Sequence, residues 1–218
     1  FHSARFMGNR CYLVTFQKTD PLFVINLTDP TSPTVLGNLT IPGYSDYLHP
    51  YDENHIIGVG KNTVEAEEGN FAWYQGIKIS LFDVSNVTNP VQDASYVIGD
   101  RGSDTPVLTD PKAFLFDKTR NLLVIPILEA NVTDPYPTPS SYGTPVYQGA
   151  YVFDISLYHN LVLEGRITHL DNGTSINDQG YWVTRSLYIE DVLYTVSDRM
   201  VKMNSLDDMS QMGQIPLS

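Results

Sequence analysis

One cysteine stands among 218 residues. Cys11 therefore has no partner for a disulfide within the chain, and the staple common in small exported domains is missing. It sits in the apolar run Cys11-Tyr12-Leu13-Val14, where a buried structural thiol is expected rather than a nucleophile. Cations are scarce too. Lys and Arg number 13 against 25 Asp and Glu, a net charge of −12. Phosphate backbones need clustered cations, so nucleic acid is excluded as a partner. No apolar stretch reaches the length of a membrane span, and no segment keeps a helical period over several turns. Chemical motifs are missing as well. There is no Gly-x-Ser-x-Gly elbow, no His-Glu-x-x-His zinc helix, no Gly-rich phosphate loop and no Asp-x-Asp-x-Asp-Gly calcium loop. Carboxylates are too widespread for any pair to stand out as an acid/base couple.

What is present is punctuation. Glycines and prolines are spread along the whole chain among plentiful aromatics, which suits many short strands joined by turns. Four segments share a pattern of strand, tight polar turn and strand: Arg5–Phe16 turning at Gly8-Asn9, Tyr47–Gly60 at Asp52–Asn54, Ala113–Leu128 at Asp117–Asn121, and Ser186–Ser197 at Glu190-Asp191. Their second strands are short apolar runs (Cys11–Val14, Ile56-Ile57, Leu122–Ile125, Val192–Val196), which predicts burial on both faces. A third strand, a polar corner and a fourth strand follow each hairpin. From Asn26, Asp83, Asp154 and Lys202, a count of eleven lands on Gly37, Ala94, Gly165 and Gly213, small residues expected to open the fourth strands. Four antiparallel strands repeated four times predict an all-β chain, a β-propeller of four four-stranded blades spanning about 1–42, 43–99, 100–170 and 171–218. A sixteen-stranded sandwich would leave the repeat unexplained.

If each blade runs outward from an axis, the loops after second and fourth strands share one face. Both long insertions, Lys61–Gln75 and Glu129–Gln148, follow second strands, and binding residues concentrate on such loops. This face gathers thirteen acidic residues, among them Asp20, Glu67 and Glu68, against Lys18, Lys61, Arg101 and Arg199. Candidate binding residues are Trp73, Tyr74, Tyr136, Tyr142 and Tyr147, which suit stacking on neutral glycans. Calcium, a hard cation that takes carboxylate and backbone oxygens, would sit among Asp46, Asp104, Asp110, Asp171 and Asp178 in the blade-to-blade loops. His49, Asp52 and His55 offer zinc-type ligands, but a turn in which Asp52 and Asn54 bond their own backbone is preferred. Five glycosylation sequons occur, at Asn26, Asn38, Asn86, Asn131 and Asn172, a mild excess over chance. Ser175–Trp182 is a near miss for the Asp-box of sialidase-type propellers, with its glycine one place late.

Several runs are similar to a known family: Ser3–Phe16, Asp20–Ile25 and Ser45–Gly58, joined by Lys112–Asp117 and Arg185–Ile189. Across essentially its whole length the chain resembles a family of secreted, mostly archaeal β-propeller proteins distantly related to WD40 propellers. The resemblance implies a secreted or cell-surface location and a parent longer than this chain, which looks like the C-terminal half of its members. It implies no catalytic residue. Where it leads one to expect Asp-His-Lys, this chain has Asp110-Pro111-Lys112, which removes a histidine from the acidic face. The chain opens on Phe1 rather than Met, consistent with a piece or a processed product. The expectation is a non-enzymatic extracellular propeller for binding, adhesion or surface assembly, whose end blades contact further blades or a second copy. The alternatives are a glycan-binding or glycan-active propeller and a calcium-dependent binding module. No organic cofactor is expected.

Overall fold

The structure is a computed structural model that describes residues 2–15, 21–66, 71–171 and 173–217. Among the described residues, sixteen strands form four sheets, each of four sequence-consecutive antiparallel strands. Blade 1 holds β1 (Ser3–Met7), β2 (Arg10–Val14), β3 (Pro21–Asn26) and β4 (Thr34–Thr40). Blade 2 holds β5 (Tyr44–Pro50), β6 (His55–Glu65), β7 (Ala72–Asp83) and β8 (Val91–Ile98). Blade 3 holds β9 (Leu115–Asp117), β10 (Leu122–Asn131), β11 (Thr144–Ser156) and β12 (Asn160–Ile167). Blade 4 holds β13 (Arg185–Ile189), β14 (Val192–Val196), β15 (Met200–Ser205) and β16 (Gln211–Pro216). Among the described residues no helix is long and apolar enough to cross a membrane.

The turns close for local reasons. Gly8, Asn121 and Glu190 take φ of +56°, +52° and +52°, the left-handed conformation that tight hairpins require and that glycine and asparagine tolerate best. Asp52 accepts the Asn54 amide at 2.9 Å, and Asp117 accepts the Thr119 amide at 2.7 Å, so each turn is bonded by its own side chain. The third hairpin begins later than the sequence suggests. Pro111–Ala113 is a short 3-10 turn capped by Asp110, and the strand starts only at Leu115.

The small residue of the fourth strand does not open that strand. It lies inside it, directly after a β-bulge that recurs in every blade. Val24, Leu81, Val152 and Met203 face Gly37, Ala94, Gly165 and Gly213, and in each case the register then slips by one residue. Blade 4 departs from the eleven-residue count. Gly213 pairs with a residue ten before it, whereas Gly37, Ala94 and Gly165 pair with residues thirteen before them. The equivalent of Asn26 is thus Ser205 rather than Lys202, and the corner of blade 4 is three residues shorter.

The chain forms two compact units, Phe1–Arg101 with Val132–Tyr142, and Gly102–Asn131 with Gly143–Ser218. In the first, blades 1 and 2 pack face to face, Tyr12, Val14, Leu22 and Val24 meeting Leu48, Ile56, Phe82 and Val84. Gly37 sits where the β7–β8 corner of blade 2 presses on β4. A Cβ there would lie 2.4 Å from the Val87 carbonyl oxygen and 2.8 Å from Thr88 Cα. In the second unit Leu122, Val124 and Val152 of blade 3 meet Leu193 and Tyr188 of blade 4. The two-faced burial predicted for second strands holds for Ile56 and Ile57 and for Leu122–Ile125. It fails for Val192–Val196, where only Leu193 and Thr195 are buried.

Candidate functional site

The described arms of the long insertion of blade 2 are paired strands and not irregular loop. β6 and β7 stay paired out to Glu65 opposite Ala72, carrying Trp73 and Tyr74 beyond the blade. The insertion of blade 3 likewise continues as β10 and β11 to Asn131 opposite Thr144. The Pro-rich stretch 132–142 belongs to the first unit and packs there on the paired arms of blade 2. Gln75 Nε2 donates to the Pro139 carbonyl at 2.9 Å, and the Val132 amide donates to Asp100 Oδ2 at 2.8 Å.

Arg101 is the centre of this group. Its guanidinium lies over the Trp73 ring at 4.9 Å and over the Tyr142 ring at 4.5 Å, so the cation stands between two aromatic faces. Each such contact contributes about 0.5–1 kcal/mol at an exposed site. Phe71 packs edge-on against Trp73 at 5.1 Å, and Tyr74 edge-on against Tyr44 at 5.3 Å. Phe71, Tyr74, Tyr136 and Tyr142 are all exposed. Four of the five aromatic candidates, Trp73, Tyr74, Tyr136 and Tyr142, thus fall in one unit, three of them next to the Arg101 side chain or its bonded carbonyl. Sequence reasoning counted Arg101 only as one of a few cations. A lone cation beside a loop rich in aromatics was the available signal.

Tyr147 belongs to the second unit and to a different cluster. Arg166 stacks on its ring at 4.6 Å and on Tyr151 at 5.6 Å, while donating to Glu129 Oε2 at 3.2 Å. Burial pushes both phenols well above the ordinary tyrosine range, so they stay neutral. Half-buried and tied into this network, Tyr147 is a structural aromatic.

The five aspartates expected to hold calcium have other bonds. Asp46 bonds His2 Nδ1 at 2.8 Å in the first unit. In the second unit the backbone of Asp104 pairs with Leu128, and Asp110 caps the Pro111–Ala113 turn and pairs with Arg185. Asp171 pairs with the buried Lys202, and Asp178 caps the Gln179–Tyr181 turn with Arg199 at 3.5 Å. Among the described residues, the trio of potential ligand atoms lying within 4.8 Å of one another is His55, Asp83 and Asp93, at the hairpin-turn end of blade 2. None of the five aspartates belongs to it. The preferred turn reading of the His49–His55 stretch holds. Asp52 bonds Asn54 and His55, while His49 meets the Tyr47 hydroxyl at 2.9 Å.

Two sequons double as turns. The Thr28 and Thr88 hydroxyls donate to the side-chain oxygens of Asn26 and Asn86 at 2.7 and 2.8 Å. Asp29 with Thr31, Asp117 with Thr119 and Asp208 with Ser210 do the same, so the spacing serves corners whether or not a glycan follows. Asn38 is exposed on β4, Asn131 is half-buried at the end of β10, and Asn172 lies outside the described residues, as do Lys18, Asp20, Glu67 and Glu68.

One histidine–hydroxyl arrangement has catalytic spacing. His169 Nδ1 meets Ser197 Oγ at 2.9 Å and Nε2 meets Thr195 Oγ1 at 2.8 Å. All three are buried, so no substrate reaches the hydroxyls. The arrangement is a core hydrogen-bond network.

Residues 1–209 match the family model described as a beta propeller domain. An uncharacterized protein of Archaeoglobus fulgidus is 29% identical over 99% of this chain, and the uncharacterized protein MJ1554 of Methanocaldococcus jannaschii is 33% identical over 95% of it. The chain spans only 28% and 26% of the length of these curated relatives. Among solved structures, cobalt-substituted Synechocystis ACO aligns with 95% of this chain and 46% of its own at 8% identity and a TM-score of 0.42, too slight a likeness to build on. Four blades of four antiparallel strands and a match over nearly the whole length place the chain in the beta propeller domain family.

Proposed function

We propose that the chain is a non-enzymatic propeller module that works outside the cell in binding, adhesion or surface assembly. One observation carries this reading: in the first unit the half-buried Trp73 and the exposed Tyr142 flank Arg101, with the exposed rings of Tyr74 on the blade 2 strands and Tyr136 in the same loop as Tyr142. Flat aromatic faces bury large area at little entropic cost and dominate binding energetics where they cluster. Trp73→Ala removes one wall of the cation sandwich. It is expected to weaken binding by about tenfold or more, the 1.4 kcal/mol of a modest hot spot, while leaving the melting temperature within a few degrees of the parent. A panel of immobilised polysaccharides and envelope proteins, probed with parent and variant, reads this out. Equal binding by both would remove the surface from the account.

A glycan-directed version of the same site is favoured by the exposed rings of Tyr136 and Tyr142, which suit stacking on neutral sugars. The calcium-dependent version draws less support, since Asp110 and Asp171 already face Arg185 and Lys202. Melting with and without a chelator is expected to give the same midpoint. A midpoint that falls on chelation would restore calcium, because a ligand of the folded state alone must raise it.

A further inference from the structure

Three neighbouring strands of blade 2 bring one imidazole and two carboxylates together at its hairpin-turn end. His55 opens β6 and pairs with Asp83, the last residue of β7. Asp93 comes from β8. There Phe82 faces Gln92 and Leu81 faces Ala94, so Asp93 is the extra residue of the bulge, the place where a bulge re-aims a side chain. One ligand atom from each of the three lies within 4.8 Å of the other two, and His55 Nε2 stands 4.0 Å from Asp83 Oδ1. Ligand atoms around a tetrahedral zinc ion are roughly 3.5 Å apart, so small side-chain rotations close the set.

The imidazole is already held as a metal ligand needs it. Asp52 Oδ1 lies 2.8 Å from His55 Nδ1. A carboxylate only accepts, so Nδ1 carries the hydrogen and the neutral ring keeps its lone pair on Nε2, the atom nearer Asp83. A carboxylate behind the ring is the usual orienting partner of a metal-binding histidine. The two carboxylates in front of it have no cation of their own. Asp110 and Asp171 face Arg185 and Lys202, whereas among the described residues neither Asp83 nor Asp93 has a Lys or Arg partner. Like charges this close repel, and one divalent ion would offset both.

The register shows how particular the combination is. Blade 3 puts Asp154 and Glu164 at the same two places, but Leu122 where His55 stands. Blades 1 and 4 put neither a histidine nor a carboxylate at any of the three.

We propose that His55 Nε2, Asp83 and Asp93 bind a zinc ion, with water in the fourth position, which staples β6, β7 and β8 together at the turn end of blade 2. An imidazole beside carboxylates suits zinc, while calcium takes oxygen ligands throughout. The site lies at the opposite end of β6 and β7 from Trp73, so it and the binding surface fail separately. Partly exposed and short of a fourth protein ligand, it fills only when zinc is supplied, and melting in zinc-free buffer still reads calcium alone.

Calorimetric titration of the chelator-treated chain with zinc chloride tests the site, with melting alongside. One ion per chain is expected, with a melting temperature that rises as zinc is added and no comparable heat from calcium chloride. Asp93 is exposed, so Asp93→Asn should fold as the parent does and bind zinc about tenfold or more weakly. His55→Gln should show the same loss. Glu164→Gln, at the equivalent bulge of blade 3, should bind as the parent does. It separates this site from zinc held near His159 and Asp154, which lie 3.9 Å apart in blade 3. No zinc uptake, equal binding by the parent and Asp93→Asn, calcium binding as tight as zinc, or a loss shared by Glu164→Gln would each overturn the proposal.

Discussion

Gly37→Ala is expected to destabilise the first unit by about 3 kcal/mol, near the upper end of what overpacking one methyl group costs. The clash is with backbone, the Val87 carbonyl oxygen at 2.4 Å, which has no rotamer through which to escape. Blades 1 and 2 would have to separate locally or the corner of blade 2 would have to shift. Elsewhere the same substitution tends to stabilise by about 0.5 kcal/mol, through a stiffer unfolded chain, so the predicted sign is opposite to the default. Gly213 is the matched control. Its added Cβ meets only the Met203 terminal methyl at 3.1 Å, which can swing away, so Gly213→Ala should change stability by less than about 1 kcal/mol. Urea unfolding midpoints of the two variants decide the matter. Equal shifts would mean that the bulge glycines are not blade-contact positions.

Acid lability is the second large effect. Burial lowers His169 to about 4 from its ordinary 6.5, helped by the neighbouring Lys202 and partly opposed by Asp171. Burial and Arg5 lower His49 to about 4 as well. A base whose folded pKa is depressed stays neutral in the fold but takes up a proton when unfolded. Stability is thus full above pH 6.5, falls as pH drops from 6.5 towards 4, and levels off below. For His169, 1% exposed, the loss is about 3 kcal/mol at about 1.4 kcal/mol per pH unit. His49 is half-buried and contributes less. Paired carboxylates act lower down. The Asp117 carboxyl is held near 2 by bonds from Thr119 and Tyr188, so its share disappears only as pH falls from about 4 towards 2. Melting temperatures should therefore drop between pH 6.5 and 4, and His169→Asn should flatten part of that slope. A flat profile over this range would show that His169 is not held neutral.

The hairpins were legible because the turn residues carry their own instructions. Gly8, Asn121 and the Asp52 and Asp117 carboxylates act within a few residues of themselves, at a range that sequence reading handles well. The periodic small residue was legible too, although its meaning was not. Eleven residues of spacing could not reveal a bulge, and the match from Lys202 fell three residues out of register. The outer halves of β6 and β7 were read as loop because Lys61–Glu65 lacks an apolar alternation. They are strands because Thr63, Val64 and Glu65 pair with Tyr74, Trp73 and Ala72.

The candidate site was legible in its residue types and not in its partners. Trp73 and Tyr142 stood out as aromatics in insertions, but Arg101 joins them only after distant loops have met. The aspartates show the reverse. Asp110 and Asp171 look like free oxygen ligands in sequence, and their cations lie 75 and 31 residues away. Val192–Val196 has the same apolar run as the other second strands, yet it is covered on one side only. Composition records what a face can bury, whereas the neighbouring sheet decides whether it does.

The central claim, that this propeller works through its surfaces and performs no chemistry, is tested most directly by looking for product. The chain would be incubated with a broad set of polysaccharides and peptides, and released ends counted against a Trp73→Ala control. The account predicts binding that Trp73→Ala weakens, and no release above the blank from either protein. Release that grows with the amount of parent protein, from any one substrate, would contradict it.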